Sequence, residues 1–141
     1  MSYWRLNSPA YKCLLAAKAE LDKCGLEKDL LTLVYLRVSQ INGCEYCIAL
    51  HQKEARAAGI AEATIDAVAK WRSSENVPAR LHLALEWAEA VTQLPSKGVS
   101  EPLCGRVAIE FPNEQHVNLT TAISLMNALN RLSISYGRKP Q

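Results

Sequence analysis

Apolar residues along this chain recur every three or four positions, and no stretch alternates apolar with polar residues long enough to form a strand. That spacing gathers side chains on one face of a helix, which turns once in about 3.6 residues. Most of the six glycines and six prolines fall between the periodic runs or at their ends. Proline inside a helix removes a hydrogen bond and clashes with the preceding turn, while glycine just past a helix end tolerates the left-handed backbone found there. Their placement therefore reads as helix punctuation. Of the fold classes open to a chain of this length, the pattern leaves an all-α fold, a compact bundle of about seven helices.

Ser8-Pro9 makes a cap and first-turn pair, and Gly25 a natural stop, so a first helix is expected over 9–24. A second, over 27–41, carries Leu30, Leu31, Val34, Val38 and Ile41 at helical spacing, with Leu33 and Leu36 on other faces, so it should be buried on most sides. Asn42-Gly43 breaks the chain, and further helices are expected over 44–58, ending at Gly59, and 61–71. Pro78 opens one over 78–93, residues 94–99 read as a loop, and Ser100 caps a short helix to 110. Pro112-Asn113 precedes a long last helix to 136, leaving 138–141 as a frayed tail.

Residues 1–141 make one domain, and with 49% hydrophobic and 21% charged residues it can bury a core, which excludes disorder. Sixteen basic against fourteen acidic side chains, a net +2, is too balanced for a nucleic-acid partner. No apolar run approaches the roughly 20 residues that span a bilayer, and the start has Arg5 but no apolar leader segment. A cytoplasmic protein with no membrane partner is the expectation. Five cysteines, an odd number, fit thiol chemistry in a reducing compartment better than a disulfide framework.

The chemistry-bearing segment runs from Leu36 to His51 and contains Cys44, Cys47 and His51 at spacings of three and four. On a helix these three fall within an arc of about 60°, on the stripe shared by Ile48, Ala55 and Ala58. A helix start stabilises a thiolate, two thiols one turn apart can close a disulfide, and an imidazole one turn on can take a thiol proton. Nearness to the helix start favours Cys44 as the attacking thiol, whereas spacing to His51 favours Cys47. Core-filling cysteines and a structural zinc site compete with this reading. Zinc would need a fourth ligand, and Cys13, Cys24, Cys104, His82 and His116 offer no second pair at zinc-like spacing.

The block RVSQINGCEYCIALHQKEARAAG, Arg37 to Gly59, resembles the alkylhydroperoxidase D-like branch of the carboxymuconolactone decarboxylase superfamily. The resemblance extends to Ala88–Thr92 and to Asn127–Leu132. It implies an all-helical fold assembling as homotrimers or hexamers, and a thiol peroxidase that needs no metal, haem or other cofactor. By that resemblance Cys47 attacks the hydroperoxide substrate, Cys44 resolves it and His51 relays the proton. An external dithiol, lipoyl-bearing or thioredoxin-like, would then restore both thiols. The family's relay glutamate, twelve residues before the first cysteine, falls on Thr32, and Tyr46 stands where a further histidine is found. A relay carboxylate must then come from elsewhere. Glu89 is the first candidate and Glu86 the second, with Glu45 turned away from the stripe. Alternatives to the peroxidase are a lactone decarboxylase, which has no need of a redox-active cysteine pair, and a non-catalytic redox sensor or metal-binding oligomer.

Several side chains outside the motif carry weaker expectations. Thr120, Ser124, Asn127, Arg131 and Ser135 form a polar stripe on the last helix, read as a contact between helices or subunits. His82 and His116 are expected as surface or capping histidines rather than catalytic ones, and Trp71 and Trp87 as core or interface anchors. Leu125, Met126, Leu129 and Leu132 are more apolar surface than a small bundle should cover, which predicts a homo-oligomer.

Overall fold

The computed structural model describes all 141 residues. A 3₁₀ turn, Tyr3–Arg5, precedes eight α-helices: α1 Pro9–Leu21, α2 Lys28–Asn42, α3 Glu45–Ala57, α4 Glu62–Ala67, α5 Ala79–Thr92, α6 Leu94–Lys97, α7 Glu101–Glu110 and α8 Glu114–Ser135. There is no strand. None of the helices is long and apolar enough to cross a membrane.

The second helix is the axis of the bundle. Helix α2 packs against α3, α5 and α8 at once, which is why Leu30, Leu31, Leu33, Val34, Leu36 and Val38 are all buried although they cover most of its circumference. A helix apolar on every side has to lie inside the fold, as the periodicity predicts. Buried with it are Ala84, Leu85 and Ala88 of α5 and Leu119, Ala122, Ile123 and Met126 of α8, the two long helices that pack on α2. The small residues let the axes approach closely, and the large ones fill the gaps.

Four local expectations are corrected by packing. Helix α1 stops at Leu21, because residues 22–24 tighten into turns before Gly25 takes its left-handed φ of 84° and delivers Leu26 to the core. The fourth helix is α-helical only to Ala67 and continues as a 3₁₀ segment, Val68–Ser73, with Lys70 off helical geometry. That change of pitch swings Trp71 into the core, where its indole donates to Glu89 at 3.2 Å. Residues 94–97, expected to be loop, form the short α6: Pro95 sits in its first turn, where no N–H is needed, and Lys97 is held by Glu89 at 2.5 Å.

The fourth correction concerns α8. Leu125 and Met126 are buried, and Leu129 and Leu132 half-buried, within a single copy of the chain. These side chains therefore give no reason for an oligomer. The polar stripe of the same helix is a contact between helices. Trp87 donates to Thr120 at 2.9 Å, and Asn127 spans from Thr92 on α5 to Asn42 on α2. Ser124 and Ser135 remain exposed.

Candidate functional site

The cysteine pair is placed by the way α2 ends. Gly43 takes a left-handed φ of 70°, its N–H donates to the Gln40 carbonyl, and the Cys44 N–H donates to the Ser39 carbonyl. This paired closure satisfies two carbonyls that the helix end would otherwise leave open, and only glycine takes that backbone without strain. It also turns the chain within one residue, so that Cys44 becomes the N-cap of α3 rather than its first turn. The Cys44 sulfur accepts the Cys47 amide N–H at 3.4 Å, the role usually filled by serine or aspartate. Cys44 and Cys47 are joined as a disulfide, with Cα atoms 5.3 Å apart.

The two sulfurs open to different surroundings. Cys47 and His51 line one cavity of about 260 Å³, whereas Cys44 lines a second hollow with Glu45, Gly137 and Lys139, and Ser133 and Arg138 border both. All three site residues are nearly excluded from solvent: Cys44 is 1%, Cys47 4% and His51 1% exposed. The spacing argument therefore brings together the residues it named, with Cys47 and His51 on a shared wall.

His51 has a carboxylate partner, and it is neither of those named from the sequence. Its Nδ1 lies 3.0 Å from Oε2 of Glu54, one turn further along α3. That hydrogen bond holds the Glu54 carboxyl below its ordinary range; burial opposes the shift, and the charges of His51 and Lys18 support it. Thr32, at the position of the family glutamate, donates its hydroxyl to the Lys28 carbonyl of its own helix at 2.9 Å. Thr32, Tyr35 and Glu54 nevertheless line the same hollow, so the carboxylate reaches it from α3 instead of α2. The Tyr35 ring centre lies 5.5 Å from that of His51, and its buried hydroxyl has no hydrogen-bond partner. Burial, reinforced by the nearby Asp22, Cys24 and Glu54, pushes that phenol well above its ordinary value.

Glu89 is engaged elsewhere. Besides Trp71 and Lys97 it meets Arg37 at 3.5 Å and Arg72 at 3.4 Å, knotting α2, α5, α6 and the 3₁₀ segment together. Burial would raise its pKa, but the hydrogen bond and charge of Lys97, the charge of Arg72 and the indole of Trp71 outweigh it and bring it down to about 2. A carboxylate so held is a structural cross-link. Glu86 pairs with Arg106 and Glu45 with Lys139, each on the surface. The missed residue, Glu54, was visible in the sequence as an acid three positions after His51, the spacing at which helical side chains meet.

The cavity in front of Cys47 is walled by Tyr3, Tyr11, Leu50, Met126 and Leu129, with Lys18 and Arg138 among its lining residues. The Tyr3 hydroxyl and Ser133 share a 2.9 Å hydrogen bond at its wall. Arg138 belongs to the segment expected to fray, which is instead docked. Gly137 and Arg138 close α8 by donating to the Ile134 and Ser133 carbonyls, and the Arg138 guanidinium stacks on Tyr46 at 3.7 Å and Trp4 at 4.2 Å. Lys139 then pairs with Glu45 at 2.9 Å.

The remaining candidates lie apart from the thiols. His82 and His116 are half-buried, set edge-on against Trp71 at 4.6 Å and Trp87 at 5.1 Å. Both tryptophans are core residues. Cys13 is exposed, and Cys24 and Cys104 are half-buried and unpaired. No group of three or more His, Cys, Asp or Glu side chains is arranged to hold a metal ion.

Comparison with known proteins agrees with this geometry. Residues 10–90 match the model of the carboxymuconolactone decarboxylase family. The uncharacterized protein YdfG of Bacillus subtilis is 31% identical over 139 residues, covering 99% of this chain and 95% of YdfG. The uncharacterized protein YnjA of Escherichia coli is 33% identical over 109 residues, 77% of this chain and 59% of YnjA. A crystal structure from Agrobacterium tumefaciens, ATU0492, is of unknown function and suggested to be the antioxidant defence protein AhpD. It superposes with a TM-score of 0.95 at 29% identity over 100% of this chain and 97% of its own. An uncharacterized peroxidase-related protein from Silicibacter shares the fold at a TM-score of 0.80 and 19% identity, covering 92% of this chain and 69% of its own. With a helical bundle of the alkylhydroperoxidase D type built around its CxxC pair, the chain belongs to the carboxymuconolactone decarboxylase family.

Proposed function

We propose that the protein is a thiol-dependent hydroperoxide reductase, with Cys47 as the attacking thiol, Cys44 as the resolving thiol and His51–Glu54 as the proton relay. The observation that carries this reading is the two-sided placement of the cysteine pair. Cys47 faces a cavity together with His51, while Cys44, bonded to it, lines the second hollow. A substrate held in the cavity beside His51 then meets Cys47 and not Cys44.

The chemistry follows from that arrangement. With the disulfide reduced, His51 takes the Cys47 proton, and Glu54 on its Nδ1 stabilises the imidazolium. The thiolate attacks the terminal oxygen of the hydroperoxide: an S–O bond forms, the O–O bond breaks, and the leaving alkoxide takes the proton from His51 to depart as an alcohol. Cys47 is left as a sulfenic acid. The Cys44 thiol then attacks the Cys47 sulfur: the S–S bond forms, the S–O bond breaks, and the departing hydroxide takes the proton Cys44 gives up and leaves as water. An external dithiol, lipoyl-bearing or thioredoxin-like, returns two electrons by exchange. The tail over Cys44 lies where that reductant would approach, and the family's homotrimeric or hexameric assembly is carried over as part of the proposal.

The test is consumption of an organic hydroperoxide by the reduced protein in the presence of a dithiol. Cys47→Ser should abolish it, and Cys44→Ser should accumulate a sulfenic acid that dimedone labels on Cys47. Label on Cys13, Cys24 or Cys104 instead, or wild-type turnover in Cys47→Ser, refutes the assignment.

A further inference from the structure

We infer that the Cys47 cavity selects hydroperoxides that carry a carboxylate on a compact apolar body, and that Arg138 is the residue that recognises the carboxylate. The reactive end of this inference rests on the peroxidase reading above; the anion site stands on separate observations. The cavity walls are largely aromatic and aliphatic, and hydrogen peroxide has no apolar surface to place against them. A volume of about 260 Å³ is small beside the roughly 300–1,000 Å³ of drug-sized sites, which favours a compact body over a long chain.

Two cations line this space, beside His51, Ser133 and the aromatic and aliphatic walls. Neither Arg138 nor Lys18 makes a direct ion pair, and of the two only Lys18 has its charge directed at a carboxylate, that of Glu54. Arg138 is half-buried, with its guanidinium held against the rings of Tyr46 and Trp4. Lys18 lies over the Tyr35 ring at 5.3 Å. Stacking fixes the guanidinium plane and the Tyr11 hydroxyl takes one of its N–H groups, which leaves the remaining N–H groups for a carboxylate in the two-pronged geometry arginine favours. Its backbone is fixed as well, by the hydrogen bonds that close α8. A charge already oriented and partly desolvated binds an anion more strongly than a mobile surface charge does.

Binding is read first without turnover. The oxidised protein is titrated with cumyl alcohol and with its para-carboxylate, followed by tryptophan fluorescence, since Trp4 lies against Arg138. The carboxylate should bind on the order of tenfold more tightly at low salt, and the preference should shrink in high salt. Arg138→Gln should remove the preference, and Arg138→Lys should keep part of it, with circular dichroism verifying that both variants fold. Equal binding of the two alcohols by the wild type overturns the inference, as does Arg138→Gln weakening both alike, which would make Arg138 only a clamp for the tail. Cumene hydroperoxide and its para-carboxylate are then compared in turnover by the reduced protein, where the same ratio is expected in kcat/KM. Preference in binding with no turnover of either peroxide would leave the anion site standing and remove the peroxidase. Turnover of both at equal kcat/KM would do the reverse.

Discussion

Replacing Glu54 with glutamine tests the relay with the smallest change of shape. The carboxylate lies 3.0 Å from His51 Nδ1, and glutamine can keep a hydrogen bond there while losing the charge. A hydrogen bond to a charged group contributes about 1.5–3 kcal/mol and a neutral one about 1 kcal/mol, so the charge itself accounts for about 0.5–2 kcal/mol. Glu54 is 40% exposed, and solvent screening moves that figure to about 0.5–1 kcal/mol. The imidazolium formed as His51 takes the thiol proton loses that stabilisation, which slows the step by about 2–5-fold.

The assay is iodoacetamide alkylation of Cys47 in the reduced protein, mapped by mass spectrometry in a background where Cys13, Cys24 and Cys104 are serine. The pH sense follows from the lowered Glu54 pKa: the carboxylate is ionised above the ordinary carboxylate range, so the deficit of the variant should hold around neutral pH and fade as the pH rises through the ordinary thiol range, where the thiol ionises without the relay. It should close again under acid conditions, as Glu54 itself protonates. Glu45→Gln, which removes an exposed charge on the same helix, is the control for long-range electrostatics. Superimposable rate profiles for wild type and Glu54→Gln refute the relay, and so does an equal deficit in the control.

Glu89→Gln should leave alkylation unchanged but cost about 1–3 kcal/mol of stability in urea unfolding, since Lys97 and Arg72 around the carboxylate are more than half exposed and partly screened. With its pKa brought down to about 2, Glu89 stabilises the fold fully above the ordinary carboxylate value, and that contribution is lost as pH falls towards 2. Slowed alkylation at unchanged stability would return Glu89 to the mechanism. Thr32→Glu in the Glu54→Gln protein should restore the alkylation rate, because both positions line one hollow. A folded double variant with no recovery would show that the hollow does not pass the acid's effect to His51.

Much of the bundle is legible in the sequence because helical periodicity is a local property with a fixed geometric consequence. The burial of α2 on all sides follows from Leu33 and Leu36 lying off the main stripe, and the thiol–imidazole cluster from spacings of three and four. What the sequence hides depends on partners far along the chain. Glu89 and Glu54 are both acids on helices, and only the fold shows that one meets Trp71, Arg72 and Lys97 while the other meets His51. The tail looks disordered from composition because Arg138-Lys139-Pro140-Gln141 has no apolar periodicity. It is ordered by stacking and charge, through Trp4, Tyr46 and Glu45. Helix α6 is too short to declare itself by pattern, and its Lys97 is held from α5.

Under the proposed relay, the position of its acid shows what can change in such a site and what cannot. A proton relay needs a negative charge at a particular place beside the imidazole, not at a particular place in the chain. Helices α2 and α3 pack face to face, so a side chain from either can reach the hollow beside His51. In this chain α2 offers Thr32, whose hydroxyl turns back to its own helix, and α3 offers Glu54 one turn past the histidine. Supplying the acid from α3 ties it to the imidazole through a single rigid helix, so the His51–Glu54 geometry no longer depends on how α2 and α3 sit against each other. Position-by-position comparison marks the carboxylate as missing. In space it is 3.0 Å from His51.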